Sequence, residues 1–373
     1  MAELSFATGD NLTVKRWSKA LEKEALPPTI ASALVGKDPM NSPLVIKDDL
    51  QKAAGDKITI PYLSLSNQDP IQGAPIYGNE HAPSYTDYSL LLDKQAFAEK
   101  RETDLNDQRT EFDFRSDMRY LLGARNAEAM EIQLLNVLGG NSLGCDHSGT
   151  TGYDANNTIT EPDSNHIIFS SSSHTTEATL VSGDELASSY IRDAVTAAET
   201  MRTANSLPQI RRAKLPGLNT MAYGLITTPR QRDNLYSEAS TVGSFFDIQR
   251  QAMAGGETSN SDTILRGRWV NSLYQYIGMH DGVAIYVDPY LPYGNDGGTA
   301  INTNVDRSIF FGAGAGAIGF GRKTPGLERF DWREEIFRYG ESYGIATVLI
   351  WGAVKAVVNS ADLATIVISS YGA

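Results

Sequence analysis

No proline occurs between Pro83 and Pro162, and within that window Phe114, Met118, Leu121, Leu122, Ala129, Ile132 and Leu135 recur at mostly helical spacing. The pattern predicts a helix over residues 103–138. Asp104, Asp107 and Glu111 sit near its N-terminal end, where the helix dipole favours anions, and Gly139-Gly140 supplies the stop. At ~1.5 Å per residue this helix would be ~54 Å long. Helices in globular domains average about 11–12 residues, so a rod of this length is more than an ordinary globular domain provides.

Two further segments bury themselves poorly. Residues 1–50 read as an arm. Lys15, Arg16, Lys19 and Lys23 alternate with Glu22 and Glu24 around Trp17 and Leu21, a short amphipathic helix that Pro27-Pro28 ends. Pro39 and Pro43 keep the next stretch extended. Residues 57–98 read as a long hairpin. Lys57-Ile58-Thr59-Ile60-Pro61-Tyr62 alternates polar and apolar side chains after a Gly55-Asp56 turn, and Tyr85 to Phe97 forms the second strand. Pro70, Gly73, Pro75, Gly78 and Pro83 make the tip irregular. An isolated two-stranded hairpin is marginal in water. An arm, a hairpin and a very long helix together favour a chain completed by copies of itself.

The remainder alternates in character. Residues 139–182 are rich in Ser, Thr, Gly and Asn, carry Asp146, Asp154, Glu161, Asp163 and Glu177, and have no Lys or Arg. They read as a solvated insertion with one strand at His166 to Phe169. Ser182-x-x-Glu185 reads as a capping box opening a helix whose apolar stripe is Leu186, Tyr190, Ile191, Ala194, Ala198 and Met201, ended by Leu207-Pro208. Tyr223 to Thr227 is a strand, and Pro229 to Tyr236 a short helix with proline in its first turn. Gly282 to Val287, Asp306 to Phe311, Arg333 to Arg338, Tyr343 to Trp351 and Val354 to Val358 complete a β-rich end. The class is α+β.

Composition excludes several alternatives. A single cysteine, Cys145, rules out a disulfide scaffold or a cysteine-rich zinc module. The 373 residues are 41% hydrophobic, which argues against disorder throughout. The net charge of −13 is opposite to that of a DNA-wrapping protein. Met1 to Ser5 carries no basic patch leading into an apolar core, so no secretory signal is expected. The longest apolar run, Ile345 to Val358, contains Gly352 and Lys355 and falls short of the ~20 residues that span a bilayer. These features fit a soluble protein made in a reducing cytoplasm.

No constellation of residues carries catalysis. Gly314-Ala315-Gly316-Ala317-Ile318-Gly319 matches G-x-G-x-x-G, but a dinucleotide site needs a helix after it, and Phe320-Gly321-Arg322-Lys323-Thr324-Pro325-Gly326 breaks a helix. The glycines instead suit a place where backbones approach closely. His81, His147, His166, His174 and His280 form no zinc-binding helix pair, and Cys145-Asp146-His147 has too few ligands, too close together. The acidic residues of 139–182 lack the order of a calcium loop. Glu334 and Glu335 point to opposite faces of a strand. The basic groups Arg211-Arg212-Lys214, Arg266 with Arg268, and Arg322-Lys323 suit solvated faces or ion-pair partners. No catalytic, cofactor-binding or metal residue is assigned.

The order of parts resembles the major capsid proteins of tailed bacteriophages, most narrowly the branch typified by the large podophage N-four. The resemblance runs through Trp17, then Gly55-Asp56-Lys57-Ile58-Thr59-Ile60-Pro61 and Leu91-Leu92-Asp93-Lys94-Gln95 at either end of the hairpin. It continues through Asp184-Glu185-Leu186, Tyr223-Gly224-Leu225-Ile226-Thr227-Thr228-Pro229-Arg230-Gln231, Phe311-Gly312-Ala313-Gly314-Ala315 and Ile350-Trp351-Gly352-Ala353-Val354-Lys355. It implies the Hong Kong 97-type capsid fold. Residues 1–50 would be the N-terminal arm and 51–98 the extended loop. Residues 99–204 and 323–358 would form the peripheral domain with its spine helix and the polar insertion 139–182. Residues 205–322 and 359–373 would form the axial domain.

The resemblance further implies a non-enzymatic shell subunit that forms pentamers and hexamers around double-stranded DNA without sequence-specific contacts. Scaffold, portal and decoration proteins are implied partners, no membrane is involved, and assembly would occur in the host bacterial cytoplasm before the protein resides in the virion. Candidate inter-subunit contacts are Trp17, Lys57, Ile60, Tyr62, Tyr77, Tyr85, Arg211 and Arg212. The acidic balance suits a container that must later release its DNA, because strong phosphate binding would oppose release. Two other readings remain: an encapsulin-like nanocompartment shell of the same fold, and a soluble nucleotide-binding enzyme using the glycine-rich segment.

Overall fold

The computed structural model describes residues 30–47, 55–65, 69–73, 75–80, 84–101, 114–143, 146–147, 150–151, 157–216, 218, 220–238, 276–297, 300–321, 330–340 and 342–372. The chain opens there with a one-turn helix Ala31–Leu34 (α1), strands Val35–Gly36 (β1) and Leu44–Lys47 (β2), the hairpin strands Lys57–Ser64 (β3) and Ser84–Leu91 (β4), and Asp93–Arg101 (β5). The long helix Phe114–Gly139 (α2) follows, then the short strands Asp146–His147 (β6), Thr150–Thr151 (β7) and Ile167–Phe169 (β8), and helix Ser188–Asn205 (α3). Next come Ala213–Lys214 (β9), Met221–Thr227 (β10), helix Pro229–Ser237 (α4), Tyr276–His280 (β11), Val283–Val287 (β12), Tyr293–Asn295 (β13) and Ile301–Phe311 (β14). The chain closes with Gly316–Phe320 (β15), Phe330–Phe337 (β16), Ser342–Lys355 (β17), Val357–Val358 (β18), Ala361–Asp362 (β19) and Thr365–Tyr371 (β20).

Two sheets carry the body. One runs β1-β2-β15-β17-β16, with β5 along the other side of β17. The second runs β11-β12-β10-β14-β20-β8, with β13 on β14 and β9 on β10. The central strands of the second sheet are buried almost throughout, as strands covered on both faces must be. One apolar cluster joins both sheets to the long helix through Leu134, Leu135 and Leu138, together with Ile309, Phe310, Ile318 and Trp351. Burying a side chain such as Phe310 completely contributes roughly 1.5–3 kcal/mol, so continuity of this cluster ties the two halves together.

The long helix stops where glycine permits it. Gly140 has φ +63°, a left-handed conformation that costs glycine little, and its amide bonds to the Asn136 carbonyl. The predicted helical residues 103–113 lie outside the described residues, as does the arm through residue 29 with Trp17. The remainder of the expected arm is not free-lying: β2 adds parallel to β15 through Leu44↔Gly316, and Leu44 and Val45 are buried. The expected extended stretch through Pro39 and Pro43 is a turn in which the Asp38 carboxylate accepts from the Met40 amide.

Three further expectations change. The second hairpin strand does not continue to Phe97: it breaks at Leu92, and β5 leaves to pair with β17. The Ser182-x-x-Glu185 box does not open a helix. Helix α3 starts at Ser188, whose amide and hydroxyl donate to Glu238. A capping box occurs instead at Thr228 and Gln231, ahead of Pro229 at the start of α4. Finally, residues 157–182 are not solvated throughout: Ser172, Ser173, Thr175, Thr176 and Ser182 are exposed, but the segment is stitched into the body at Asn157, His166 and Glu177, which are buried. Strand β8 pairs with β20, and Asn157, Glu161, Asp163 and Glu177 all bond distant parts of the chain. Sheet membership thus crosses the sequence-drawn segments: β8 joins the second sheet and β15 the first.

Candidate functional site

The hairpin pairs from Lys57↔Leu91 to Ser64↔Ser84 without a register shift. Side chains on a strand alternate faces, so Ile58, Ile60, Tyr62, Thr86, Tyr88 and Leu90 share one face. Lys57, Thr59, Pro61, Leu63, Tyr85 and Asp87 share the other. The first face is buried at the base, at Ile58 and Leu90, and half-buried further out at Ile60, Tyr62 and Tyr88. The second face is exposed, and Leu63 and Tyr85 are direct cross-strand partners on it.

The base sits on glycines. In the β15–β17 ladder Gly319 pairs with Gly352. A methyl group on Gly319 would lie 2.5 Å from Leu90 Cδ2 and 3.3 Å from Ile58 Cδ1, and one on Gly352 would lie 2.1 Å from the Leu91 carbonyl oxygen. The hairpin therefore crosses the sheet over a saddle that only glycine leaves open. Asn157 locks the crossing from the side: its Oδ1 accepts from the Leu91 amide at 2.9 Å and its Nδ2 donates to the Leu91 carbonyl at 2.7 Å. The Leu92 amide donates to the Asp56 carbonyl at 2.8 Å and closes the loop. The G-x-G-x-x-G segment is thus a turn followed by a strand, with Gly314 at φ +78°. No helix follows it, so it does not build a dinucleotide site.

The far end of the hairpin is apolar and open. Tyr77 is 92% and Tyr85 70% exposed, and Leu63, Leu65 and Ile76 are exposed beside them. Lys57 is exposed at the base, while Ile60 and Tyr62 are half-buried. Tyr62 and Arg211 come together in a groove of about 470 Å³ with Leu65, Arg202 and Pro208. Arg211 and Arg212 also line a second groove of about 710 Å³ with Met40 and Met221. Arg212 has partners of its own. It donates to Glu199 at 2.9 Å and lies over the Tyr223 ring, and Glu199 raises its pKa further despite some burial. Tyr77 lies at the hairpin tip, and among the described residues it lines neither groove with the arginines.

A buried charge cluster holds the frame behind the hairpin, and sequence reasoning missed it. Arg307 on β14 is 2% exposed; its Nε donates to Glu177 at 2.7 Å, its Nη2 to Glu161 at 3.0 Å, and its Nη1 to the Gly139 carbonyl that ends α2. Burial opposes the Arg307 charge, but the two carboxylates outweigh it and raise its pKa. Burial pushes Glu161 up, yet Arg307 and Ser142 hold it below its usual range. Ser369 donates to Glu177 as well, so the cluster spans α2, β14, β20 and the 157–182 segment. A second buried pair, Lys355 and Asp362 at 2.8 Å, joins β17 to β19, and Asp163 accepts from the Asp362 amide. Helix α4 is fixed by Arg230 and Thr228 on Asp306 and by Gln231 on Ser308 and Ser370. Absence of Lys and Arg from 139–182 was the one visible signal: carboxylates that are buried need a cation from elsewhere.

Among the described residues, no group of three or more His, Cys, Asp or Glu is arranged to hold a metal ion. No helix among them is long and apolar enough to cross a membrane. What the geometry offers is a rigid frame that presents an anchored, apolar-tipped hairpin.

A family of phage capsid proteins matches residues 5–373. The fold is similar to the capsid of Ralstonia phage GP4, at 21% identity and a TM-score of 0.77, covering 100% of this chain and 99% of that one. It is also similar to the capsid asymmetric unit of cyanophage Pam1, at 16% identity and a TM-score of 0.73, covering 100% of both chains. The head structure of Helicobacter pylori bacteriophage KHP40 matches at 9% identity and a TM-score of 0.66, covering 99% of each chain. No protein of curated function matches the sequence.

Proposed function

Because the chain belongs to the phage capsid protein family and serves as a major capsid protein of tailed phages, we propose that its copies assemble as pentamers and hexamers into an icosahedral shell around double-stranded DNA. The observation that carries this reading is the hairpin, anchored by Gly319, Gly352 and Asn157 but exposing Leu63, Leu65, Ile76, Tyr77 and Tyr85 at its far end. A two-stranded ribbon with an apolar tip is a poor free structure in water and a good one when it lies on a neighbour. On this reading the arm and the faces around Lys57, Ile60, Tyr62, Arg211 and Arg212 also meet neighbouring copies.

The finer reading is the Hong Kong 97-type fold in its N-four-type form. The first sheet with the long helix is then the core of the peripheral domain, the second sheet the core of the axial domain, and the hairpin the extended loop. The subunit acts without catalysis. Scaffold, portal and decoration proteins are its further partners, DNA contacts are not sequence-specific, and assembly takes place in the host cytoplasm.

Deleting residues 66–82 tests the role of the hairpin. The expected product folds with an unchanged secondary-structure spectrum but fails to form rings or shells in sedimentation. Normal shells from this deletion would contradict the reading. Shells filled with protein cargo and free of nucleic acid would instead favour a nanocompartment.

A further inference from the structure

One groove on the second sheet carries cations that the chain itself leaves unbalanced. Met40 and Met221 are 58% and 51% exposed there, beside Arg211 and Arg212. Arg212 is matched by Glu199 at 2.9 Å. Arg211 instead meets a thioether: its Nη1 lies 2.9 Å from the Met40 sulfur. Lys214 is the register partner of Met221 in the β9–β10 pair and is exposed. Direct cross-strand partners share a face, so Lys214 adds a cation beside Met221. Among the described residues, no carboxylate pairs with Arg211 or Lys214. Both stand unmatched in a chain whose net charge is −13.

The hairpin tip has the complementary chemistry. No Lys or Arg occurs between Lys57 and Lys94, whereas Asp69, Glu80, Asp87 and Asp93 do. The tip is a tight turn in which the Asn79 amide donates to the Ile76 carbonyl at 3.0 Å. Glu80 accepts from the Gly78 amide at 2.7 Å, which holds its carboxylate close to Ile76 and Tyr77. Every described residue from 69 to 80 is exposed. The chain's own tip therefore does not fill the groove, and an apolar, acidic knob and a cationic, methionine-lined groove stand open on the same molecule.

Resting on the self-assembly reading, we propose that the hairpin tip of one copy docks in this groove of the next, with Tyr77 between Met40 and Met221 and Glu80 beside Arg211 and Lys214. Methionines are unbranched and adapt to an entering ring, and their sulfur makes favourable contacts with aromatic edges. Covering the groove also lowers the dielectric around Arg211, where a carboxylate counts for more than at an open surface. Opposite charges across the contact fix its register and disfavour wrong pairings. Tip and groove are different surfaces, so each copy gives one contact and receives one. Head-to-tail contacts of this kind close into rings when the rotation between copies permits.

The test is disulfide trapping in the full chain carrying Cys145→Ser, Tyr77→Cys and Met221→Cys, oxidised after assembly. The expected result is a ladder of linked copies on a non-reducing gel that ends at closed rings and is absent from chains with either cysteine alone. Shells without a ladder would overturn the docking and leave the shell reading standing. A Cys145→Ser chain that forms neither rings nor shells would remove both. Charge exchange gives an independent readout. Arg211→Glu should raise the concentration needed for assembly about tenfold or more, because like charges across a contact repel, and adding Glu80→Arg should restore it. Full assembly by Arg211→Glu alone, or no recovery in the double variant, would overturn the docking. Arg211→Glu shells of normal yield that lose packaged DNA would assign the cation to phosphate and overturn it as well.

Discussion

Gly319 and Gly352 are register partners across the β15–β17 ladder, and the base of the hairpin rests on both. A side chain on either would occupy the space of Leu90 or of the Leu91 backbone. The pair explains why a glycine-rich run stands in the middle of a buried strand, where glycine ordinarily weakens the structure. It also makes the hairpin's direction a property of the sheet beneath it.

Gly352→Ala should therefore act on the hairpin more than on the core. Its methyl group would meet a backbone oxygen at 2.1 Å, which cannot swing away as a side-chain end can. Overpacking of this kind costs roughly 1–3 kcal/mol. The expected outcome is a lower denaturation midpoint together with loss of amide protection along β3 and β4, read by hydrogen exchange. An unchanged hairpin would mean that the saddle does not set its position.

Asn157→Ala removes the bonds to the Leu91 N–H and C=O, which lie in a half-buried place. A loss of about 1–3 kcal/mol is expected. Exchange at the Leu91 amide should quicken, while the amides of β10 and β12 keep their protection. Uniform loss across the molecule would show that Asn157 acts on global stability and not on the hairpin.

Glu177→Gln tests the buried frame. It leaves the Arg307 guanidinium with only the partly exposed Glu161 to balance its charge. Breaking a buried ion pair from one side typically costs about 3–5 kcal/mol. A large fall in the urea midpoint at pH 7 is expected, and Arg307→Met combined with Glu177→Leu should recover a good part of it. A change below about 0.5 kcal/mol, the range of ordinary surface substitutions, would contradict the assigned role.

Local signals carried most of what the sequence disclosed. Helix α4 is legible because Pro229 sits in its first turn, and the hairpin because its alternation and turn residues are contiguous. Long-range bonds decide the remainder. The Ser182-x-x-Glu185 spacing suits a capping box, but the Val181–Asp184 turn and the Tyr371 amide, which donates to the Asp184 carbonyl, hold this stretch against the end of β20. The helix therefore begins only at Ser188. Residues 157–182 read as solvated because their carboxylates have no nearby cation in the sequence, whereas Arg307 reaches them from β14. Strand β17 is recognisable, but its place between β16 and β5 depends on residues 93–101, far back in the chain. Within the candidate site, Tyr77 and Tyr85 are exposed, and Arg212 has the ion-pair partner that its basic cluster allowed, Glu199, a residue that no local pattern singles out.

The central claim is that this chain builds a shell from copies of itself. Electron microscopy of the purified full-length chain, alongside its sedimentation profile across concentration, tests it most directly. Closed shells, or rings of five and six subunits, are the predicted result. A chain that sediments only as single copies at every concentration, also when co-produced with the scaffold of its own phage, would contradict the account.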